Sequence, residues 1–420
     1  MNDQPVFQAE VHQNPHLPAR GTVVDAIVSI TAGPALSQSP TAAQVIMIDC
    51  SGSMSDPPGK LAAAKRATST AIDTLRDGTA FAVVAGREHA EVVVPLTPAT
   101  PQTRAEARLA VSRLTAGGGT AMGSWLRTTG NLLLNHPAEV KHAIMLTDGR
   151  NEHESPRELR AALRSCERQF VCDTRGVGDG WSGAELRLIA SALLGTADGL
   201  PVADDLTADF RAMTESAMNK SLGEVALRLW TPVGSTVRFV RQVYPYLEDL
   251  TDRRGDVSAR IGDYPTGAWG AESRDYHLCV ALPAGAVGEE RLAARISLVS
   301  EEQPLVETRL RVTWTEDHAL SAKLDPRVAH YSGQAELAAA IQHGLAARAS
   351  GDLTTATAML GRAVQLAALT GHDDSGRLLA RLVEVIDARS GTVRLRDDAA
   401  GVDAELANVR SVKTVRSRDR

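Results

Sequence analysis

Cysteine is scarce in this sequence: there are 4 in 420 residues, at Cys50, Cys166, Cys172 and Cys279. Their spacing gives no disulfide framework, and Cys166 and Cys172, the one close pair, do not make C-x-x-C. Buried free thiols in a reducing compartment are the expectation. Basic charge is not in excess either, since 45 Lys+Arg against 51 Asp+Glu leave −6. That balance argues against a general nucleic-acid or membrane surface. No stretch approaches the roughly 20 apolar residues that cross a bilayer. The opening Asn2-Asp3-Gln4 is polar, without the basic-then-apolar pattern of a secretory signal. A cytoplasmic protein whose partners include neither nucleic acid nor membrane is therefore expected. What is present is an ordinary globular profile, 43% hydrophobic and 23% charged, with enough material for two or three cores.

Against this background one stretch organises the rest: Val45-Ile46-Met47-Ile48-Asp49-Cys50-Ser51-Gly52-Ser53-Met54-Ser55. Val45 to Ile48 reads as a buried parallel strand, apolar on both faces. Past its carboxyl end Asp49, Ser51 and Ser53 recur every second residue, which puts three oxygen-bearing side chains on one side of an extended loop. Gly52 allows a tight turn there. One carboxylate and two hydroxyls suit a hard divalent cation such as Mg²⁺. Two later segments carry matching chemistry. Gly117-Gly118-Gly119-Thr120 is a glycine loop ending in a hydroxyl. His142-Ala143-Ile144-Met145-Leu146-Thr147-Asp148-Gly149 is a second apolar strand ending in a carboxylate. In an open α/β sheet the carboxyl ends of the strands converge on one ligand-binding edge, so Asp49, Thr120 and Asp148 are expected to face one point.

D-x-S-x-S, then G-G-T, then T-D-G, in that order on a β/α pattern, resembles a von Willebrand factor A (VWA) domain with its metal-ion-dependent adhesion site. The matching positions are Asp49, Ser51, Ser53, Thr120 and Asp148, and the resemblance spans residues 41 to 220. It implies a doubly wound, Rossmann-like α/β fold and a non-enzymatic interaction module. It also implies that Mg²⁺ (or Mn²⁺ or Ca²⁺) is held directly by Ser51, Ser53 and Thr120, with the two aspartates acting largely through water. An Asp or Glu of a protein partner then fills the open metal position. By analogy with intracellular bacterial relatives, that partner is an AAA+ ATPase or belongs to a stress-response or Ser/Thr-phosphorylation system with forkhead-associated proteins. Low lysine with high alanine, arginine and aspartate fits a GC-rich bacterial source.

The chain in order supports several units. Residues 1 to 40 hold two alternating segments, Phe7 to His12 and Thr22 to Ile30, read as strands. Strands and helices then alternate through residues 41 to 220, as a parallel doubly wound sheet requires. Residues 221 to 320 are strand-rich and read as an antiparallel β-sandwich, which the two N-terminal strands complete. Residues 330 to 390 read as a small helical module, either tetratricopeptide-like or a plain helical hairpin, with a third helix over Gly376 to Ala388. Residues 391 to 420 read as a tail with a disordered end. Its Thr414 is either a phosphorylation site or part of a solvated segment.

Two enzymatic readings compete. Gly52 to Lys60 follows a strand and opens a helix as a P-loop does, but the glycines are too widely spaced and Leu61 stands where Ser or Thr should bind Mg²⁺. A Mg²⁺-dependent phosphohydrolase could use the same carboxylates, yet no nucleophile–base pair is evident. A metal that only orders the loops is a further alternative.

Overall fold

The computed structural model describes residues 6–34, 40–200 and 205–417. Two compact units divide the chain. One comprises residues 38–223 with 400–410, the other residues 1–37, 224–399 and 411–420.

The first unit is built on a six-stranded sheet. In spatial order its strands are Glu91–Pro98, Ala80–Gly86, Ala42–Asp49, Val140–Thr147, Val171–Val177 and Ala197–Leu200. Only the first pair is antiparallel. All eight residues of Ala42–Asp49 are buried, because both faces are covered. Ile46 and Ile48 pack with Ala64, Ala71, Ile72 and Phe210. Val45 and Met47 pack on the other face with Trp125, Leu126, Leu163 and Ile189. A continuous apolar run is what a strand sandwiched between two helical layers must carry. This is a Rossmann-like α/β unit.

The helix Lys60–Thr74 follows from its apolar spacing. Its buried positions are Lys60, Ala63, Ala64, Ala67, Thr68, Ala71 and Ile72, a stripe at helical period. The stripe begins with a lysine. Gly59, with φ +100°, supplies the left-handed turn that precedes it.

In the second unit, Phe7–Gln13 pairs with Val23–Ala32, which pairs with Ser273–Ala281, and that sheet continues through Thr236–Tyr244 to Glu248–Asp249. A six-stranded sheet runs Gly255–Ser258, Ile261–Trp269, Leu222–Trp230, Glu290–Ser300, Gln303–Thr315, His16–Pro18. Helices Pro326–Ala349 and Leu353–Thr370 form a close pair, with Gly344 so near Leu360 that a Cβ would lie 2.8 Å from its Cγ.

Three expectations for the C-terminal part are corrected. The third helix is Asp373–Leu382, and residues 383–387, expected to continue it, form a strand paired with Thr392–Leu395. Val383, Val385 and Ile386 are β-branched and favour an extended backbone, and Gly391 at φ +72° closes the turn. Residues 391–417 are not a bare tail. Gly401–Arg410 is a helix that belongs to the first unit and buries Leu406, Ala407 and Val409. The segment around Thr414 is not wholly solvated: Lys413, Val415 and Arg416 are exposed, but the Thr414 amide donates to the Pro245 carbonyl at 3.1 Å and its hydroxyl oxygen is buried. The expected disorder of the end falls on residues 418–420, outside the described residues. Among the described residues no helix is long and apolar enough to cross a membrane.

Candidate functional site

The site grows from the carboxyl ends of two adjacent strands. Asp49 is the last residue of the central strand and fully buried. Its Oδ1 accepts the Ser51 amide at 2.7 Å, closing an Asx turn, and its Oδ2 accepts the Thr147 hydroxyl at 2.6 Å. Neither partner carries charge. Burial raises the carboxyl above its ordinary value, and the nearby Asp148 charge adds to that, against the pull of the Thr147 and Ser51 hydrogen bonds. Among the described residues no cationic side chain pairs with Asp49. A buried carboxylate without a counter-charge is costly, so this corner of the fold favours a cation.

The hydroxyls are positioned by the turn and by the glycine loop. Ser51 Oγ and Ser53 Oγ share a hydrogen bond of 3.0 Å, and Ser53 Oγ donates to Asp148 Oδ1 at 2.7 Å. The glycine loop is stitched to the serine loop through backbone. Gly117 N–H donates to the Cys50 carbonyl at 2.8 Å, and Gly52 N–H donates to the Gly118 carbonyl at 2.9 Å. Gly118 has φ +83°, a conformation that suits glycine. Gly119 lies against the His153 ring, where a Cβ would come within 2.4 Å of three ring atoms. His153 in turn holds Thr120 from both sides. Its Nδ1 accepts the Thr120 amide at 3.1 Å and its own amide donates to the Thr120 carbonyl at 3.0 Å. A Cβ placed on Gly149 would lie 3.7 Å from both Ser53 Oγ and Thr120 Oγ1, so these two hydroxyls flank one spot beside Asp148. The structure thus brings Asp49, Ser51, Ser53, Thr120 and Asp148 together. Four of them are buried, while Ser53 and Gly52 are exposed and leave the cluster open to solvent on one side.

Lys60 completes the set, although the sequence offered it only at the end of the P-loop-like stretch. Its Nζ donates to Asp148 Oδ2 at 2.5 Å and to the Ser53 carbonyl at 3.3 Å. Lysine and aspartate are both buried, at 7% and 1% exposure. The signal was present: Lys60 stands four residues before Ala64 and eight before Thr68, on the buried stripe of its helix. With its ammonium committed to Asp148, Lys60 is not free to cradle a phosphate as a P-loop lysine does. Cys50, between Asp49 and Ser51, is poorly placed to act as a nucleophile. Burial and the neighbouring Asp49 push its thiol up to about 12. All four cysteines are free and buried.

The far side of the same sheet is braced by the C-terminal helix. Glu405 Oε2 accepts the Gly183 amide at 2.8 Å, and its Oε1 lies 3.3 Å from Arg150, two residues beyond Asp148. Arg410 pairs with Asp198 at 2.6 Å and donates to the Gly199 carbonyl at 3.0 Å. Trp181, fully buried, sits between Gly176 and Gly199 and donates its indole N–H to the Gly178 carbonyl at 3.0 Å. Only residues with room for that ring, here glycines, fit at 176 and 199.

Chemically, five oxygen-bearing side chains, two of them carboxylates, can hold a hard divalent cation, and an open side permits one exogenous ligand. Comparisons with known proteins agree with the fold. The profile of the von Willebrand factor type A domain matches residues 43–198, and that of the von Willebrand factor type A C-terminal domain matches residues 365–411. A solved structure, a von Willebrand factor type A protein from Catenulispora acidiphila, is 48% identical over 99% of both chains, with a TM-score of 0.94. The ArnB paralog VWA2 from Sulfolobus acidocaldarius shares the fold, with a TM-score of 0.58 at 12% identity over 97% of this chain and 100% of that one. No curated protein matches.

Proposed function

The chain belongs to the von Willebrand factor type A family, and from that premise we propose that it is a metal-dependent protein–protein interaction module. Asp49, Ser51, Ser53, Thr120 and Asp148 form a complete metal-ion-dependent adhesion site. The family is generally one of non-enzymatic interaction modules. The observation that carries the reading is Asp49: a fully buried carboxylate, supplied with neutral donors only, beside hydroxyls aimed at the same spot. Mg²⁺ is the cation proposed, with Mn²⁺ and Ca²⁺ as substitutes. When bound, it supplies an electrophilic position for a carboxylate.

The residues of this chain do the rest. Thr147 and the Ser51 amide orient Asp49, Asp148 orients Ser53, and His153 fixes Thr120. The solvent-open side by Gly52 and Ser53 admits an Asp or Glu from a protein partner. The commitment of Lys60 to Asp148 weighs against the nucleotide-binding reading. The pushed-up Cys50 thiol and the lack of a nucleophile–base pair in the cluster weigh against the phosphohydrolase. A cytoplasmic adaptor is the role proposed, its partner an AAA+ ATPase or a member of a Ser/Thr-phosphorylation or stress system. The two sheets of the second unit are read as the faces of a β-sandwich domain completed by the N-terminal strands. The Phe7 ring of one sheet against Trp269 of the other, with centroids 5.8 Å apart, supports this.

The test is metal binding and capture together. Mn²⁺ titration followed by electron paramagnetic resonance should show one site in the wild type and none in Asp49→Ala. Capture of partners from native lysate should occur in Mg²⁺ and disappear in EDTA and with Thr120→Ala. Equal Mn²⁺ binding by Asp49→Ala would overturn the site, and equal capture in EDTA would overturn its role in partner binding.

A further inference from the structure

The buried ion pair at the site has a consequence for metal loading. We infer that Lys60 is an internal counter-cation that competes with the divalent metal for Asp148, making metal loading weak and reversible while keeping the metal-free site folded. This inference rests on the metal reading above.

The geometry is specific. Lys60 begins the helix that follows the serine loop, and the buried stripe of that helix carries its side chain inward instead of to solvent. Nζ reaches Asp148 Oδ2 and the Ser53 carbonyl, so it touches one proposed metal-site carboxylate and the backbone of one proposed hydroxyl ligand. The Gly178 loop packs beside it: a Cβ at Gly178, which has φ +77°, would be in ordinary contact at 3.5 Å from Lys60 Cε and 3.8 Å from Nζ. With Oδ1 accepting Ser53 and Oδ2 accepting Lys60, both oxygens of Asp148 are already engaged within the protein.

The charge balance follows. Asp49 and Asp148 bring two negative charges and Lys60 returns one positive, so the donor set presents a net charge of about −1 to an incoming cation instead of −2. A unit positive charge this close, in a partly desolvated site, opposes a second cation strongly. The same charge satisfies Asp148 when no metal is present. An internal cation of this kind allows the loops to keep their shape through cycles of loading and release, and sets loading to respond to the free divalent concentration.

The experiment compares wild type, Lys60→Met and Lys60→Arg as full-length chains. Isothermal titration with Mn²⁺ and with Mg²⁺ gives affinity, and thermal unfolding in EDTA and in saturating Mg²⁺ gives stability. Lys60→Met keeps the apolar stem and removes the charge. It should bind Mn²⁺ at least about tenfold more tightly, the order a neighbouring unit charge imposes, and should unfold at lower temperature in EDTA with most of the loss recovered in Mg²⁺. Lys60→Arg, which keeps the charge, should stay within about threefold of wild type on the same electrostatic argument. Should Lys60→Met not fold in EDTA yet fold in Mg²⁺, the inference stands; if it folds in neither, Lys60→Gln, which retains a polar head for Asp148, takes its place with the same expected tightening. Equal metal affinity in wild type and the neutral variant overturns the Lys60 inference and leaves the adhesion site intact. Absence of Mn²⁺ and Mg²⁺ binding in wild type and neutral variant alike overturns the adhesion site itself.

Discussion

Two aspartates of one sheet, Asp49 fully buried and Asp173 half-buried, show opposite treatment. Asp173, on the strand Val171–Val177, is satisfied from within. Its carboxylate takes His142 Nε2 at 2.9 Å and both the amide and hydroxyl of Thr196 at 2.7 Å. Burial alone would raise its carboxyl, but the His142 hydrogen bond, the charges of His142 and Arg175 and the Thr196 hydroxyl together hold it well below the usual range. Asp49, two strands away at the carboxyl edge, receives an amide and a hydroxyl but no positive charge, and burial dominates. A carboxylate whose charge is answered by the protein braces the fold. One whose charge is left for something else to answer suits the receptor role proposed for Asp49. That difference separates Asp49, though not the Lys60-paired Asp148, from the structural pairs around it.

The comparison can be broken in graded steps. Asp49→Asn carries the largest expected effect: loss of metal binding together with a gain of about 1–2 kcal/mol in metal-free stability, since an unanswered buried charge is removed. Calorimetric titration and urea unfolding in EDTA measure the two halves, and a destabilised metal-free variant would contradict the account of Asp49. Asp173→Asn should do the reverse, costing about 2–3 kcal/mol at neutral pH while metal affinity stays at the wild-type value. The pH sign is set by the direction of the shift. The folded pKa lies below the ordinary 3.8, so the stabilisation is complete well above that value and is lost as pH falls through the folded one. The stability gap between wild type and Asp173→Asn, read by urea unfolding across pH, should therefore narrow in acid; a gap that widens there refutes the assignment.

Thr147→Val removes the hydroxyl from Asp49 at nearly constant volume. It should cost about 1 kcal/mol in EDTA and weaken Mn²⁺ binding severalfold, because Asp49 is then free to turn; unchanged affinity would show that Thr147 does not orient it. The smallest effect belongs to Arg150→Ala. Its pair with Glu405 is half exposed, so stability should move by no more than about 0.5 kcal/mol. A larger loss in thermal unfolding would mean that the C-terminal helix depends on this contact more than on Leu406 and Arg410.

Much of the first unit was legible in local pattern. Val45 to Ile48, apolar throughout, is the central parallel strand. The alternation of strand and helix is the doubly wound sheet, and the three short motifs stand at strand ends and on the glycine loop that the structure gathers. Each of these signals is local: a run of apolar residues, a period, a turn residue. The groups that sequence missed are defined by distant partners. His153 matters because Gly119 leaves space for its ring and Thr120 binds it from two sides. Helix 401–410 carries Val402, Leu406 and Val409 at helical spacing, yet so short a stripe among charged residues does not announce that its surface lies on Trp181 and Gly199, some two hundred residues earlier. The first strand of the hairpin at 383–395 falls in Gly376 to Ala388, expected as helix because leucines and arginines run into it at helical period. The β-branched run then overrides that continuation.

The sequence by itself determined which atoms the site has to work with: carboxylates at Asp49 and Asp148, hydroxyls at Ser51, Ser53 and Thr120, and glycines that let three loops approach. It also determined that those atoms sit past strand ends and on a glycine loop, since periodicity and turn chemistry are written residue by residue. Tertiary structure alone decided the balance of charge among them. Whether a buried carboxylate meets a lysine, a histidine or nothing depends on which helix stripe and which neighbouring strand pass within hydrogen-bonding distance. Burial strengthens that choice, because in a poorly hydrated interior a charge three ångströms away outweighs any local preference.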